Sequence, residues 1–371
     1  MKKILIVSTV SRQFYLFEQG NIEVLHSLGY EVHAAANFRD ANPRLDELNI
    51  VRHPFDIQRS PFSFKNIKAY KQLKEIMKSE DFDAVHCHSP MGSVLARLAA
   101  RAVGISKVLY TPHGFHFYKD APLLNWLLYY PIEVLLSLYT KVIITINQED
   151  YSLAQKFKAD KVCYIPGIGV NTQKFSSKNA DRGKTRAMLE IAEETVVLLS
   201  VGELNKNKNH ETVIRAVAKI NDPRVIYLIC GRGKLQAYLK NLVRSLGVEK
   251  KVRFLGFRND VAEIYSASDI FVFPSYHEGL PVSVMEAMSA GLPVICSNIR
   301  GNTDLIENGQ GGFLLNPKDV NGFAKFIKKV AEDRKLRLFM GQKNIETVKT
   351  FDVSKVKVKM KELYSEVILG D

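Results

Sequence analysis

Glu278 and Glu286 are the two residues in this chain whose type and spacing most clearly point to chemistry. They lie in the stretch 274–293, which an uncharged run, Ile270–Phe273, enters and another, Val294–Cys296, leaves. The pattern predicts strand, loop, helix and strand in a parallel sheet. Pro281 suits the first helical position and Gly291 the residue past the last. Backbone N–H groups of Leu280, Val282 and Ser283 then have no partner inside the helix and stand at the positive end of its dipole, a site for phosphate. Carboxylates touching that phosphate would repel it. Glu278 before the helix and Glu286 about a turn and a half into it instead suit hydroxyl groups of a ligand whose middle is phosphate, such as a nucleotide sugar with ribose at one end and hexose at the other.

Other loops follow strands in the same half. In 202–210, Lys206 and Lys208 precede a helix and are placed to neutralise a pyrophosphate. Gly231 and Gly233 allow backbone to approach a ligand closely, and Phe257, followed by Arg258, is expected near a base. In the first half the polar residues also gather after strands: Ser8, Thr9, Ser11 and Arg12; His86, His88 and Ser89; Thr111, His113, Gly114 and His116. All are expected to face one crevice, with His113, between Pro112 and Gly114, the candidate for chemistry. Neither histidine pair has a carboxylate or cysteine at metal-ligand spacing, so no metal is expected.

The elements that must position these residues alternate between strand and helix. In the first half, strands are predicted at Ile4–Ser8, Glu31–Ala36, Ala84–His88, Lys107–Thr111 and Val142–Ile146. Helices are predicted at Phe14–Leu28, Phe64–Lys78 and Gly92–Val103, and Asn147 caps a further one. Periodicity lapses around Pro166–Val170 and Ser176–Gly183, and the same alternation restarts at Val196. Two doubly wound α/β domains facing a cleft are therefore expected, 1–178 and 179–350, with a C-terminal helix in 351–371 packing back on the first domain through Val356, Met360, Leu363, Tyr364 and Val367. A length of 371 residues agrees with two cores rather than one.

Composition narrows the partners. A formal net charge of +13 calls for an anionic partner, but no zinc-finger spacing or RNP-type aromatic motif accompanies it, so nucleic acid is not expected. Lys65, Lys68, Lys71, Lys74 and Lys78 crowd one predicted helix beside Phe62 and Phe64, a combination suited to an anionic membrane surface. Ile67, Tyr70, Leu73 and Met77 form the inward stripe if that face is merely solvated. No uncharged apolar run is long enough to span a bilayer, the nearest, Ala121–Tyr139, holding Pro131 and Glu133. Cys87, Cys163, Cys230 and Cys296 have no paired spacing and read as buried thiols in a reducing compartment. Neither a dinucleotide fingerprint nor a Walker motif is present.

The Glu-x7-Glu pair 278/286, Ala290-Gly291-Leu292-Pro293, Lys208-Asn209-His210 and His113-Gly114 together resemble the retaining glycosyltransferases of family four, which have the GT-B fold. The segments 110–118 and 125–131 further resemble members that build bacterial capsule or exopolysaccharide repeat units on lipid carriers. The resemblance implies a UDP-sugar donor, no cofactor and no metal. It assigns Glu286 to the ribose, Glu278 to the donor hexose, Lys208 to the diphosphate and His113 to the sugar near the reacting carbon. Gly279, Leu280, Val282 and Ser283 would complete the phosphate site, Gly231 and Gly233 would line the donor, and Phe257 with Arg258 would flank the base. Arg12, His88 and Ser89 fall on the acceptor side, for a polyprenyl-diphosphate-linked saccharide at the inner face of the cell membrane. Two positions depart from the family pattern: Glu203 stands five residues before Lys208 where Arg is common, and 9–12 replaces a Gly-rich loop. A nucleotide-sugar epimerase or hydrolase, or a noncatalytic nucleotide-sugar-binding subunit, remains the alternative.

Overall fold

The computed structural model describes residues 2–40 and 42–370, which divide into two compact units, Met1–Ile168 with Val353–Asp371, and Gly169–Asp352. Among the described residues the first unit holds a seven-stranded sheet in the order β3-β2-β1-β4-β5-β6-β7. Its strands are β1 (Lys2–Val10), β2 (Tyr30–Asn37), β3 (Val51–Pro54), β4 (Ala84–His88), β5 (Val108–Thr111), β6 (Val142–Thr145) and β7 (Lys161–Tyr164). All neighbours pair in parallel. Alternate residues of β1 serve opposite faces. Ile4 and Ile6 join Leu25, Val356, Met360 and Leu363, while Leu5 and Val7 join Leu73, Met77 and Ala96.

The second unit repeats the plan with six strands in the order β10-β9-β8-β11-β12-β13. They are β8 (Val196–Val201), β9 (Val225–Cys230), β10 (Val252–Gly256), β11 (Ile270–Phe273), β12 (Val294–Ser297) and β13 (Gly312–Leu315). Each sheet reverses its winding once, between β1 and β4 in the first unit and between β8 and β11 in the second. Ligands of open α/β sheets bind at the carboxyl ends of the strands at such a reversal. The loops after β1 and β4 carry Arg12 and Ser89 and those after β8 and β11 carry Lys208 and Glu278, while His113 follows β5, Gly231 and Gly233 follow β9, and Phe257 and Arg258 follow β10.

Several expected boundaries move. The unit boundary falls at 168/169 rather than 178/179, because the Val170 N–H bonds Phe351 O at 3.0 Å and Thr172 Oγ1 donates to Asp352 at 2.6 Å, tying both ends of the second unit side by side. The last α-helix, Val353–Tyr364, belongs to the first unit, where Val356, Met360, Leu363 and Tyr364 are buried, as is Val367 in the π-helical turn Ser365–Leu369 that follows. The single helix expected at Phe14–Leu28 is a π-helical turn, Phe14–Glu18, followed by an α-helix, Gln19–Ser27. Pro281 sits at the N-cap rather than the first helical position of Val282–Ser289. Asn147 caps its helix as expected, accepting from the Asp150 N–H.

Candidate active site

In the second unit the loops at the carboxyl ends are laced together across the sheet. Gly231 N–H bonds Gly256 O at 2.7 Å, Gly202 N–H bonds Cys230 O at 2.9 Å, and Tyr276 N–H bonds Asn207 O at 2.8 Å. Asn207 holds the 274–281 loop a second time, donating from Nδ2 to His277 O and accepting the His277 N–H at Oδ1. This lacing brings Lys208 onto Glu278, Nζ to Oε1 at 2.7 Å. The same ammonium lies 4.7 Å from the Phe273 ring centroid. His210 of the Lys-Asn-His motif is buried, with Nδ1 3.2 Å from Tyr227 Oη. Burial pushes its pKa down to about 4, so it acts as a neutral peg for its helix.

Pro281 supplies no side-chain cap to Val282–Ser289, which leaves the start of that helix open beside Leu280, Val282 and Ser283. Glu278 precedes it and its backbone oxygen accepts from Arg300 Nε at 3.0 Å. Gly279 lies so close to Gly301 that a Cβ on Gly301 would meet Gly279 O at 2.5 Å. Glu286 accepts from Tyr265 Oη at 3.0 Å, and that hydroxyl also reaches Ser283 O at 3.0 Å. Burial pushes the Glu286 carboxyl up to about 7, against the Tyr265 hydrogen bond and the charge of Lys174.

The other donor-side candidates of this half sit as follows. Gly231 and Gly233 are required by loop crossing, since a Cβ would come within 1.9 Å of Gly202 O or 2.4 Å of Leu204 O. Arg258 is turned onto Asp260, Nε to Oδ1 at 2.7 Å, while Phe257 is 66% exposed. Tyr265 and Arg300, which the sequence reading passed over, touch Glu286 and the Glu278 backbone. Neither stands in a local pattern that marks it, because each reaches its partner across the fold.

In the first unit, Ser8, Thr9, Arg12, Gln13, Phe17, Ser89, His116 and Tyr129 are among the residues lining a cavity of about 370 Å³. Ser89 is held at φ +63°, a costly conformation for a residue with a Cβ, and its hydroxyl bonds Thr9 Oγ1 at 2.7 Å. His88 is fully buried instead of lining the cavity, and His86 is equally buried, with Nδ1 2.7 Å from Tyr364 Oη and Nε2 2.8 Å from Thr111 Oγ1. His113 is 29% exposed at its side chain. Burial lowers its pKa below the ordinary histidine value, with Glu18 pulling the other way.

Glu18 is the residue that sequence spacing missed. It is 1% exposed, and its Oε1 lies 3.2 Å from His88 Nδ1 and 3.8 Å from His113 Nε2. The expectation that no carboxylate accompanies the histidines is thereby corrected: Glu18, His86 and His88 bring ligand-type atoms within 4.8 Å of one another. Both ring nitrogens of His86 are already hydrogen-bonded, so the cluster reads as a polar core. A lone charged residue closing the aromatic run Phe14-Tyr15-Leu16-Phe17 was the available signal.

Two family models match the chain, Glycosyl transferase 4-like over residues 3–147 and Glycosyl transferases group 1 over residues 181–347. EpsD of Bacillus subtilis (strain 168), named as a glycosyltransferase, is 38% identical over 98% of this chain and 96% of its own length. The chain belongs to the family-four glycosyltransferases. This glycosyltransferase is also 32% identical, over 82% of its length and 81% of the relative's, to the UDP-Gal:alpha-D-GlcNAc-diphosphoundecaprenol alpha-1,3-galactosyltransferase of Escherichia coli. The crystal structure of Anabaena Alr3699/HepE in complex with UDP and glucose matches it with a TM-score of 0.81 at 21% identity, covering 99% of this chain and all of that one. The glycosyltransferase thus has the α/β GT-B fold, built of two Rossmann-like parallel-sheet units. Among its described residues no helix is long and apolar enough to cross a membrane.

Proposed function

We propose that this glycosyltransferase moves a hexose or N-acetylhexosamine from a UDP-sugar to a polyprenyl-diphosphate-linked saccharide, with retention and without a metal ion, in bacterial surface polysaccharide synthesis. The observation that carries the reading is the Lys208–Glu278 pair beside the uncapped start of the Val282–Ser289 helix. A cation and free N–H groups suit a diphosphate, and Glu278 and Glu286 on either side suit hydroxyl groups. In this mechanism Lys208 and the N–H groups of Val282 and Ser283 stabilise the charge growing on the departing diphosphate. The acceptor hydroxyl attacks from the side the diphosphate leaves, and its proton passes to a phosphate oxygen. His113 serves the transferring sugar, and Arg12 and Ser89, on the first unit's cavity, serve the acceptor. His88 supports them from below.

The relatives support the donor and acceptor classes. The Escherichia coli relative is named for UDP-Gal and a diphosphoundecaprenol acceptor. A second relative, from Campylobacter jejuni, 24% identical over 99% of this chain, is named for a diphospho-undecaprenol acceptor. Both names carry an alpha-1,3 linkage, and transfer from an α-linked nucleotide diphosphate to an α-linked product is retention.

The proposed site of action is the inner face of the cell membrane. On the Leu123–Ser137 helix the inner side is tied down by Glu133, which receives Arg97 Nη2 at 2.8 Å and Tyr110 Oη at 2.9 Å. Leu123, Leu124, Leu127 and Leu135 of the same helix are exposed, the first at 73%. Phe62 and Phe64, at 77% and 88% exposure, stand before the basic helix Lys65–Glu80, on which Ile67 is exposed as well. Apolar side chains beside cationic ones suit an anionic bilayer surface.

The test is incubation of the purified protein with a panel of nucleotide sugars and a polyprenyl-diphosphate N-acetylhexosamine, with and without a chelator. The expected result is acceptor-dependent release of UDP, unaffected by the chelator, and a product whose anomeric coupling reports an α linkage. Equal donor consumption with and without acceptor would instead identify an epimerase or hydrolase.

A further inference from the structure

Glu18 is a buried carboxylate with no Lys or Arg paired to it among the described residues. Its contacts are polar groups: Gln13 Nε2 donates to Oε1 at 2.9 Å, Asn21 Nδ2 donates to Oε2 at 2.7 Å, and His88 Nδ1 lies 3.2 Å from Oε1. Burying a carboxylate on such terms is costly. The π-helical turn Phe14–Glu18 is the backbone feature that carries it inward, with both Phe14 and Glu18 buried, and single π-helical turns in helices recur at functional sites.

The hydrogen-bond chemistry sets a direction. Gln13 Nε2 also lies 2.8 Å from His113 Nε2. Its amide nitrogen carries two protons, one for the carboxylate and one for the imidazole. The flipped amide would set its oxygen against the Glu18 carboxylate, two acceptors with no proton between them. The charge on Glu18 therefore orients Gln13, and Gln13 requires His113 Nε2 to be an acceptor. His88 Nδ1 lies 3.2 Å from both this nitrogen and Glu18 Oε1, and its one proton goes to the carboxylate, the Nε2 lone pair being taken by Gln13. The ring proton of His113 is left on Nδ1, which has no hydrogen-bond partner among the described residues.

We propose that Glu18 is a positioning residue, which acts through Gln13 to hold His113 as the neutral Nδ1–H tautomer, so that Nδ1 is a fixed donor toward an oxygen of the transferring sugar. The proposal rests on the reading of His113 as a sugar-facing residue. A cationic His113 would turn an N–H against the Gln13 amide protons, so the arrangement also keeps the ring neutral.

The test reads the tautomer directly by two-dimensional ¹H–¹⁵N spectroscopy of histidine-labelled protein, with His113 assigned from His113→Asn. The wild type is expected to show His113 as a single Nδ1–H form from pH 6 to 8. In Glu18→Gln, where the amide of Gln13 is free to turn, the His113 signals should move to a tautomer mixture. kcat should fall at least tenfold while KM for the donor changes less than threefold. Retention of the single Nδ1–H form in Glu18→Gln would overturn the proposal. If that variant does not fold, Gln13→Ala keeps the carboxylate and carries the same tautomer test. A wild type that transfers no sugar from any donor, with the tautomer mixture still appearing in Glu18→Gln, would overturn the transferase reading and leave the Glu18–Gln13–His113 linkage standing.

Discussion

Lys208 Nζ and Glu278 Oε1 are 2.7 Å apart, although 70 positions separate the two residues. The pair forms because β8 and β11 are neighbours in the sheet and each loop leaves its strand at the same edge. Both side chains are largely buried, at 21% and 12% exposure. Removing either partner leaves a charge short of its counter-ion. Lys208→Met is expected to lower kcat/KM at least a hundredfold and to destabilise the fold by about 1–3 kcal/mol, read by steady-state kinetics and urea unfolding. Wild-type turnover in Glu278→Ala would remove this pair from the site.

Glu286 yields a pH prediction. Its folded-state carboxyl is pushed up to about 7 from the ordinary 4.5, so between those limits the native state holds the proton more tightly than the unfolded chain. Stability from this group is full below about pH 4.5 and is lost as pH rises through 7, by about 3 kcal/mol. Glu286→Gln removes the loss. Its melting temperature should exceed that of the wild type more at pH 8 than at pH 5, and donor binding should weaken. An equal difference at the two pH values would show that Glu286 does not titrate in this window.

Membrane docking predicts a separation of binding from folding. Leu124, Leu127 and Leu135 are exposed, so replacing all three by Glu should leave the melting temperature within a few degrees. Cosedimentation with anionic vesicles should fall at least tenfold at low salt. Unchanged cosedimentation would exclude this helix as the contact surface.

Gly231 and Gly233 provide a test of the loop crossing. Gly231→Ala would drive a methyl group into Gly202 O, 1.9 Å from the ideal Cβ position, at a residue whose φ of +154° already disfavours a side chain. The expected cost is about 2 kcal/mol or more of stability, together with weaker donor binding as the 202–209 loop shifts. Calorimetric unfolding and donor titration on one sample measure both.

The alternation of strands and helices was legible because it is local. Runs such as Ile4–Val7 and Ile270–Phe273 are apolar at strand length, and glycines such as Gly104 end helices by adopting positive φ. The Glu278/Glu286 spacing and the helix start between them were legible for the same reason. Where local signals competed, boundaries moved: the amphipathic run from Phe14 to Leu28 does not reveal that its first turn is π-helical.

By itself the sequence determined the two α/β halves, the helix start after Pro281 and the residue types around it, since periodicity and spacing are properties of neighbours along the chain. Only the tertiary structure decided which distant groups meet. Strand order put Lys208 on Glu278 and Tyr265 on Glu286. It also buried His86 under Tyr364 of the returning helix and brought Glu18, through Gln13, to His113. A hydrogen bond depends on position to a few tenths of an ångström, and that position is set by the packing of whole elements.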